Sequence, residues 1–445
     1  MKAKAYEPRT LTAERGRTRS IIGFHYPLGL TSILMASTFA VVSFGLAQTP
    51  DPALALAAFA IAQSVTNFFV SPLFSVRNLL IAVGTNEDSM ANAIRVVFWV
   101  AIGLFVWLLV VSFTRVGHII FIDLFGAPIE LFGDILAVVR LCLSLPVIYS
   151  FRAWAQAILI LKRQTPYLIL AMGMRLLVML PLAIVLPGFE MLSSPAVGAI
   201  IWIVGLSVEA VICCLCAVWS RADIGGRGVL GKVDSLGDCA RFLAPLALHG
   251  FLGSLTFPAI NAGLARTLNP EISLAAFQLA WSLAFFFVAF VQPNISQTVL
   301  VFLENRQWWE SLRRVAIKIT VVTSVALLLF VFTGLARIVL VSLMNVSDDL
   351  VGPAILVLLI SVPITFFAGV GDLWAGAALH ERKTLMLVFA KIADVVGVVL
   401  TAFVLSWIIP SWDAAIAPAA LLIGVALNYL VLRRLVNPVV KNLMP

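Results

Sequence analysis

The chain alternates long apolar runs with short polar segments. Each run is at least 18 residues long, and about 20 apolar residues in a helix cross a hydrocarbon core of about 30 Å. The pattern predicts twelve membrane spans. Numbered 1 to 12, they are residues 21–47, 54–83, 96–113, 135–161, 167–186, 197–219, 242–265, 272–302, 315–343, 350–379, 385–409 and 414–432.

Composition supports a membrane protein and argues against an enzyme. Of the 445 residues, 62% are hydrophobic and 12% charged, whereas about 25% of residues are charged in soluble domains. The sequence has no metalloprotease helix, phosphate loop or nucleophile elbow. The run Cys213-Cys214-x-Cys216 has no histidine or carboxylate pattern beside it, which favours a packing role over a metal site. We expect no catalysis, metal or organic cofactor, with H⁺ or Na⁺ as the only ions to consider for coupling.

The basic residues indicate how the chain is oriented. The net charge is +8, and the Lys and Arg residues cluster in every second segment between spans, while the other segments are acidic or nearly neutral. Because cytoplasmic loops carry the excess of Lys and Arg, this alternation predicts an even number of spans with both termini in the cytoplasm. We therefore expect a multi-pass protein of the plasma or inner membrane. No polar basic domain is present to bind nucleic acid.

The second half of the sequence repeats the first. The offset is 218 residues at the first two matches (245 − 27 and 274 − 56) and 220 at the third (374 − 154). Apolar helices can look alike by chance, but a nearly constant offset over several spans argues against chance. The matched segments are residues 27–30 with 245–248, 56–59 with 274–277, and 153–155 with 373–375.

The repeat defines the expected architecture. It is an all-α polytopic protein of two six-helix lobes, which are related by a pseudo-twofold axis along the membrane normal because six spans return the chain to its starting side. A ligand cavity between the lobes and alternating access by lobe rocking would follow. The expected parts are a basic N-terminus (1–20), an N-lobe (21–219), a cytoplasmic linker (220–241), a C-lobe (242–434) and a C-terminus (435–445).

Ionisable residues within the spans are candidates for function, because burying them in a membrane is costly. Seven lie well inside spans, and they lean positive; Arg77, at the end of span 2, could instead reach the interface. The offset of 220 aligns Arg152 with Asp372, so we hypothesise that Arg152 binds the substrate charge and Asp372 is its counter-ion. The alternatives are a static salt bridge between these two residues, or two charges that each pair within their own lobe. The seven are Arg140, Arg152, Arg175, Glu209, Asp372, Lys391 and Asp394.

The remaining candidates are ion-coupling groups and polar contacts to a solute. Lys391 and Asp394 are three residues apart and are expected to pair on one helix face. Pro72 is expected to break span 2 and expose polar groups to a cavity. Candidate solute contacts are Gln63, Asn67, Asn261 and Gln278, for which bridging between helices is the alternative. Candidate coupling groups are Glu209, Asp372, Asp394 and His249, although a lone histidine such as the last is more often a hydrogen-bonded packing residue.

Four segments carry a resemblance to a known family: Pro27-Leu28-Gly29-Leu30-Thr31, Phe68–Asn78, Pro258–Arg266 and Ala153–Lys162. They are similar to progressive ankylosis (ANK) transporters, within the MOP superfamily of multidrug and toxic-compound extrusion (MATE) proteins and polysaccharide flippases. The resemblance implies export of a small organic or phosphorylated anion such as citrate, a nucleotide or pyrophosphate. Cation-coupled drug exporters generally keep an acidic residue in span 1 or 7, where this chain has only His25 and His249.

Several functions stay open at this point. A secondary transporter exporting a small anion by alternating access is the leading expectation, acting as a monomer in contact with membrane lipid. A flippase for a lipid-linked oligosaccharide or polysaccharide precursor would also use a cationic cavity, for a lipid-linked anion. A cation-coupled multidrug exporter is a further alternative, and a membrane enzyme or scaffold has the least support.

Overall fold

The computed structural model describes residues 7–84, 86–124, 129–189, 192–220, 234–344 and 348–442. Within these ranges the chain is helical with short turns, and twelve helical segments are long and apolar enough to cross a membrane. The twelve predicted spans are thereby confirmed. Residues 1–6 and 443–445 at the chain ends and residues 221–233 of the predicted linker lie outside the described ranges.

The described residues form seventeen α-helices. They are α1 (Glu7–Ala47), α2 (Pro52–Val83), α3 (Glu87–Phe113), α4 (Arg115–His118), α5 (Phe132–Leu141), α6 (Leu145–Leu161), α7 (Pro166–Val185), α8 (Ser194–Trp219), α9 (Leu236–Ser254), α10 (Thr256–Leu264), α11 (Pro270–Val291), α12 (Asn294–Phe302), α13 (Arg306–Phe332), α14 (Leu335–Ile338), α15 (Asp348–His380), α16 (Leu385–Ile408) and α17 (Ile416–Asn442).

Three spans consist of two helices each. Span 4 is α5 and α6, span 7 is α9 and α10, and span 8 is α11 and α12. Each break lies close to a proline, at Pro146, Pro258 or Pro293, because proline lacks the N–H that continues a helix and its ring crowds the preceding turn. The break expected at Pro72 is wrong: α2 runs through this residue without interruption.

Span 9 differs from its predicted bounds of 315–343. Helix α13 begins nine residues earlier, at Arg306 (315 − 306), and ends at Phe332. It ends there because Gly334 adopts a left-handed conformation with φ of +79°, which glycine tolerates best. The apolar residues beyond it form α14 and a π-helical turn, Val339–Leu343. Apolar character alone could not separate these short elements from the span.

The internal repeat is visible in the helix ends. Helices α3 and α13 are each 27 residues long. Each is capped by an asparagine, Asn86 or Asn305, whose side-chain oxygen accepts hydrogen bonds from two backbone N–H groups at the helix start. The two asparagines are 219 residues apart (305 − 86). Each is followed by a four-residue helix and a π-helical turn. The second half therefore repeats the first in local structure as well as in sequence.

The described residues divide into two compact units, which we call the first and second unit. The first unit is Leu34–Gly250, and the second begins at Phe251 and also includes the described residues up to Ile33. The expected lobes began at residues 21 and 242, whereas the unit boundaries lie after Ile33 and after Gly250. The first part of the leading helix of each repeat therefore belongs to the unit formed by the other repeat. The boundaries fall inside α1 and α9.

Contacts within each unit explain why the leading helix of each repeat is divided between the two units. In the second unit, His25 of α1 lies 3.3 Å from the Thr298 hydroxyl, and Arg314 pairs with Glu14 at 2.5 Å. In the first unit, the Ser75 hydroxyl donates to the Leu246 carbonyl of α9 at 3.3 Å. Each leading half-helix thus bonds to the other repeat, which a linear division of the sequence could not indicate.

Candidate functional site

A cluster of charged side chains lies inside the first unit, where α6, α7 and α8 meet. Arg152 Nε of α6 donates to Glu209 Oε1 of α8 at 2.6 Å, and Arg175 Nη1 of α7 donates to Glu209 Oε2 at 2.8 Å. Both carboxylate oxygens therefore accept from an arginine, the kind of charge-assisted hydrogen bond that is stronger than a neutral one.

Two further residues extend this cluster to α2. Gln156 Nε2 donates to Glu209 Oε1 at 2.8 Å, and Arg77 Nη1 donates to Gln156 Oε1 at 3.0 Å. We call Arg77, Arg152, Gln156, Arg175 and Glu209 the Glu209 cluster. Sequence reasoning missed Gln156 and left Arg77 between two interpretations. The available signal was spacing, because Arg152 and Gln156 are four residues apart and share a helix face.

A glycine lets α7 and α8 approach closely beside the cluster. Gly205 lies four residues before Glu209, and a Cβ atom there would collide with the Met179 side chain and lie 3.4 Å from Arg175 Cγ. Because glycine has no Cβ, α8 can pack against the stem of Arg175. This packing sets the distance at which the Arg175 guanidinium reaches Glu209.

The cluster carries more positive than negative charge. The cluster contains three guanidinium groups and one carboxylate, so its formal charge is +2, and the side chains of Glu209, Arg175 and Arg152 are only 1%, 3% and 13% exposed. Removing charge from water is costly unless it is paired, and one carboxylate cannot neutralise three cations. The arrangement can stabilise an anion, and Arg152 is the more exposed of the two arginines bonded to Glu209.

Asp372 serves a different purpose in the second unit. It lies on α15, is 5% exposed, and its Oδ2 accepts the Ser296 backbone N–H at 2.7 Å. Ser296 is in the first turn of α12, where backbone N–H groups have no partner in the helix and the helix dipole favours a negative charge. Gly376, one turn further along α15, packs directly against Ser296 and Val299. Asp372 thus caps the helix that follows the break in span 8.

This geometry predicts a stability effect for Asp372. The Asp372→Ala substitution leaves a buried backbone N–H without its acceptor, and we expect the free energy of unfolding to fall by about 1–3 kcal/mol. Asp372→Asn keeps an acceptor and should lose less. Thermal unfolding in detergent measures both. Asp348→Ala, at the exposed start of the same helix, is the control, and equal melting of Asp372→Ala and this control would contradict the capping role.

The structure aligns the two repeats here with an offset of 219 residues instead of 220, so that Arg152 and Asp372 no longer align. Spans 4 and 10 both end in a turn with φ of +57°, at Arg163 and at Arg382, an offset of 219 residues (382 − 163). Arg152 lies eleven residues before its turn (163 − 152) and Asp372 ten before its own (382 − 372). One residue is a rotation of about 100° in a helix, so the two side chains are not at equivalent positions. In the structure the counter-ion of Arg152 is Glu209.

The predicted pair on span 11 is confirmed. Lys391 Nζ donates to Asp394 Oδ2 at 2.6 Å. The other oxygen, Asp394 Oδ1, is buried and makes no hydrogen bond within the described residues. Gly424 of α17 lies against it, since a Cβ there would be 2.5 Å from Asp394 Oδ1. This carboxylate is therefore enclosed between α16 and α17 with one side unpaired.

The polar candidates occupy varied positions. Gln63 on α2 and Asn261 on α10 are half-buried, and each has a buried amide atom without a hydrogen bond in the described part of the chain. Asn67 on α2 and His249 on α9 are also half-buried, and Gln278 on α11 is exposed. Gln63 and Asn67 belong to the first unit, and Asn261 and Gln278 to the second. Their roles stay predictions.

Solved structures share this fold over nearly the whole chain. A variant of the Vibrio cholerae MATE transporter VcmN is 15% identical, with a TM-score of 0.77 over 97% of this chain and 98% of its own. A MOP superfamily transporter from Pyrococcus furiosus is 16% identical, with a TM-score of 0.73 over 96% of each chain. The eukaryotic MATE transporter AtDTX14 is 15% identical, with a TM-score of 0.72 over 96% of each chain.

These similarities establish the MATE transporter fold. The Pyrococcus furiosus protein is described as having a binding pocket of reverse polarity, which suggests a different function for it. No protein-family model and no curated protein matches the chain. The finer resemblance to ANK transporters stays a prediction from the sequence.

Proposed function

We propose that the protein is a secondary transporter that exports a small organic or phosphorylated anion by alternating access. The observation that carries this proposal is the positive surplus of the Glu209 cluster, in which Arg152 and Arg175 both bond to Glu209 and a third guanidinium, that of Arg77, joins them through Gln156. An anion bound beside Arg152 would neutralise charge that the protein leaves unpaired. The likeness of the sequence to ANK transporters points to the same class of substrate.

The fold supports transport as the activity, because the proteins that share it are transporters. The Pyrococcus furiosus neighbour supports the idea that pocket charge selects the substrate. For that protein, a binding pocket of reverse polarity is described as suggesting a different function. In this chain, spans 1 and 7 have no carboxylate among residues 21–47 and 242–265. This supports an anion in preference to a cationic drug.

The contacts of Arg152 suggest how binding and conformation are linked. Its Nε is bonded to Glu209, and its Nη2 lies 3.7 Å from the Met35 sulfur. An incoming anion would compete with Glu209 for the guanidinium, and Arg175 and Gln156 would remain to hold Glu209. Binding then favours whichever lobe arrangement lets Arg152 leave Glu209, which is the differential affinity that alternating access requires. Glu209 replaces Asp372 as the counter-ion in this mechanism.

Transport by the wild-type protein is the direct test. Purified protein in liposomes should take up labelled citrate, pyrophosphate or ATP with saturable kinetics, and the unlabelled anion should compete. Imposed H⁺ and Na⁺ gradients, each dissipated in a parallel sample by an ionophore, identify the coupling ion. Empty liposomes and a labelled organic cation are the controls.

Two outcomes would overturn this proposal. Gradient-driven uptake of the organic cation without uptake of any anion would favour a drug exporter. If folded protein transports neither, a flippase for a lipid-linked anion becomes the leading function, and movement of a fluorescent lipid diphosphate between leaflets would then be measured.

A further inference from the structure

A second basic site lies at the end of span 3 in the first unit, away from the Glu209 cluster. A cavity of about 610 Å³ opens there, between the end of α3, α4 and α5. This volume is within the range of small-molecule pockets, about 300–1,000 Å³. Three basic side chains line it, Arg115, His118 and Arg140, together with Ser112 and an aromatic wall of Phe113 and Phe132.

The charge of this cavity is unbalanced. Arg140 lies over the Phe113 ring, 5.1 Å from its centroid, and its Nη2 donates to the Ser112 carbonyl at 3.5 Å. His118 Nδ1 is 3.6 Å from Asp123 Oδ2, and neither Arg115 nor Arg140 has an ion pair among the described residues. No described residue that lines the cavity is acidic. Two permanent positive charges therefore face it without a protein counter-ion.

A residue in the wall of this cavity also has an unpartnered hydroxyl. Ser112 is 1% exposed and lines the cavity. Its Oγ is buried and has no hydrogen-bond partner in the described part of the chain. Buried polar groups in native structures are nearly always hydrogen-bonded, so the wall of this cavity contains a hydroxyl whose hydrogen-bonding capacity the described residues leave unused.

The repeat shows that the fold itself does not need these charges. Helix α14 and its π-helical turn reproduce α4 and its π-helical turn in the second half. At an offset of 220 residues, Leu335 stands where the first half has Arg115, and Ile338 where it has His118 (335 − 115 and 338 − 118). The same local structure forms with apolar residues, so the basic pair in the first half serves another purpose.

We propose that this cavity binds the phosphate of an anionic phospholipid. The two arginines are opposite in charge to the phosphate, and Arg binds phosphate oxygens in a planar, two-point geometry. The apolar wall favours a lipid over a soluble anion, because Phe113 and Ile119 are 63% and 56% exposed at the end of a membrane span. An acyl chain would cover them, whereas free phosphate would leave them uncovered.

Lipid selectivity tests this proposal. Native mass spectrometry of the full chain in detergent should show at least about tenfold tighter binding of phosphatidylglycerol than of phosphatidylcholine, since phosphatidylglycerol carries a net negative charge and phosphatidylcholine does not. The double variant Arg115→Leu/His118→Ile copies the second repeat and is expected to fold, as judged by its elution volume. It should lose the preference, as should Arg140→Gln. Arg337→Leu on α14 is the matched control and should keep it.

Competition with inorganic phosphate distinguishes a lipid site from a site for free phosphate. Excess inorganic phosphate should leave phosphatidylglycerol binding unchanged. If inorganic phosphate displaces the lipid completely, or if the wild-type protein binds both lipids equally, the lipid site is overturned. Retention of the full preference in Arg140→Gln and in the double variant would overturn it as well. None of these measurements depends on which solute the protein transports.

Discussion

Arg152→Ala is expected to weaken saturable anion uptake strongly in a protein that still folds. The substitution deletes the more exposed of the two arginines bonded to Glu209 and leaves the Arg175 and Gln156 contacts in place. A hydrogen bond to a charged group contributes about 1.5–3 kcal/mol, so uptake at low substrate concentration should fall by about 10- to 100-fold. Initial rates in proteoliposomes, at matched protein density, measure this loss.

Two further variants make the result specific. Arg152→Lys keeps the charge but not the planar geometry of the guanidinium, and we expect a raised KM with part of the maximal rate retained. Arg95→Ala removes another arginine of the first unit, whose described hydrogen bond is to Asn92 alone, and should transport normally. Wild-type uptake by Arg152→Ala, or an equal loss in Arg95→Ala, would remove Arg152 from the substrate site.

Glu209→Ala is expected to be the most destabilising substitution in the cluster. It would leave Arg77, Arg152 and Arg175 near one another with no carboxylate between them. Removing one partner of a buried ion pair costs about 3–5 kcal/mol, because the remaining charge is buried without compensation. The melting temperature in detergent and the yield of monodisperse protein should both fall. Glu209→Gln keeps the hydrogen-bonding shape and should lose less.

A second substitution tests whether uncompensated charge, and not lost packing, lowers the melting temperature of Glu209→Ala. Adding Arg175→Met to Glu209→Ala removes one of the uncompensated charges, so the double variant should melt above the single one. Glu310→Ala is the matched control, because it breaks an exposed pair with Arg306, and exposed pairs contribute only about 0–1 kcal/mol. A Glu209→Ala protein that melts with this control would show that the cluster does not depend on its carboxylate.

The two repeats place opposite charges at one shared helix position. Arg175 is nine residues after the start of α7 (175 − 166), and Asp394 is nine after the start of α16 (394 − 385). Arg175 pairs with Glu209 on α8, whereas Asp394 pairs with Lys391 on its own helix. An offset of 219 in the sequence comparison would have revealed this correspondence, while the offset of 220 directed attention to Arg152 and Asp372.

The sequence by itself determined the number of spans, most of their approximate bounds and the twofold repeat. These follow from local properties, since the length of an apolar run decides whether a helix can cross a membrane. It also identified Arg152, Arg175 and Glu209 as costly charges in spans. The pair Lys391 and Asp394 could be predicted because both residues are on one helix.

Only the tertiary structure decided which charges meet. Glu209 is 57 residues from Arg152 (209 − 152) and 34 from Arg175 (209 − 175). Their contact depends on how α6 and α7 pack against α8, where Gly205 allows α7 to approach closely. Asp372 became a helix cap because α12 begins beside α15, after a break that apolar character does not reveal. A single residue of helix register turns a side chain by about 100°. For this physical reason the partners of buried charges are decided by packing between helices, which the pattern along the chain leaves open.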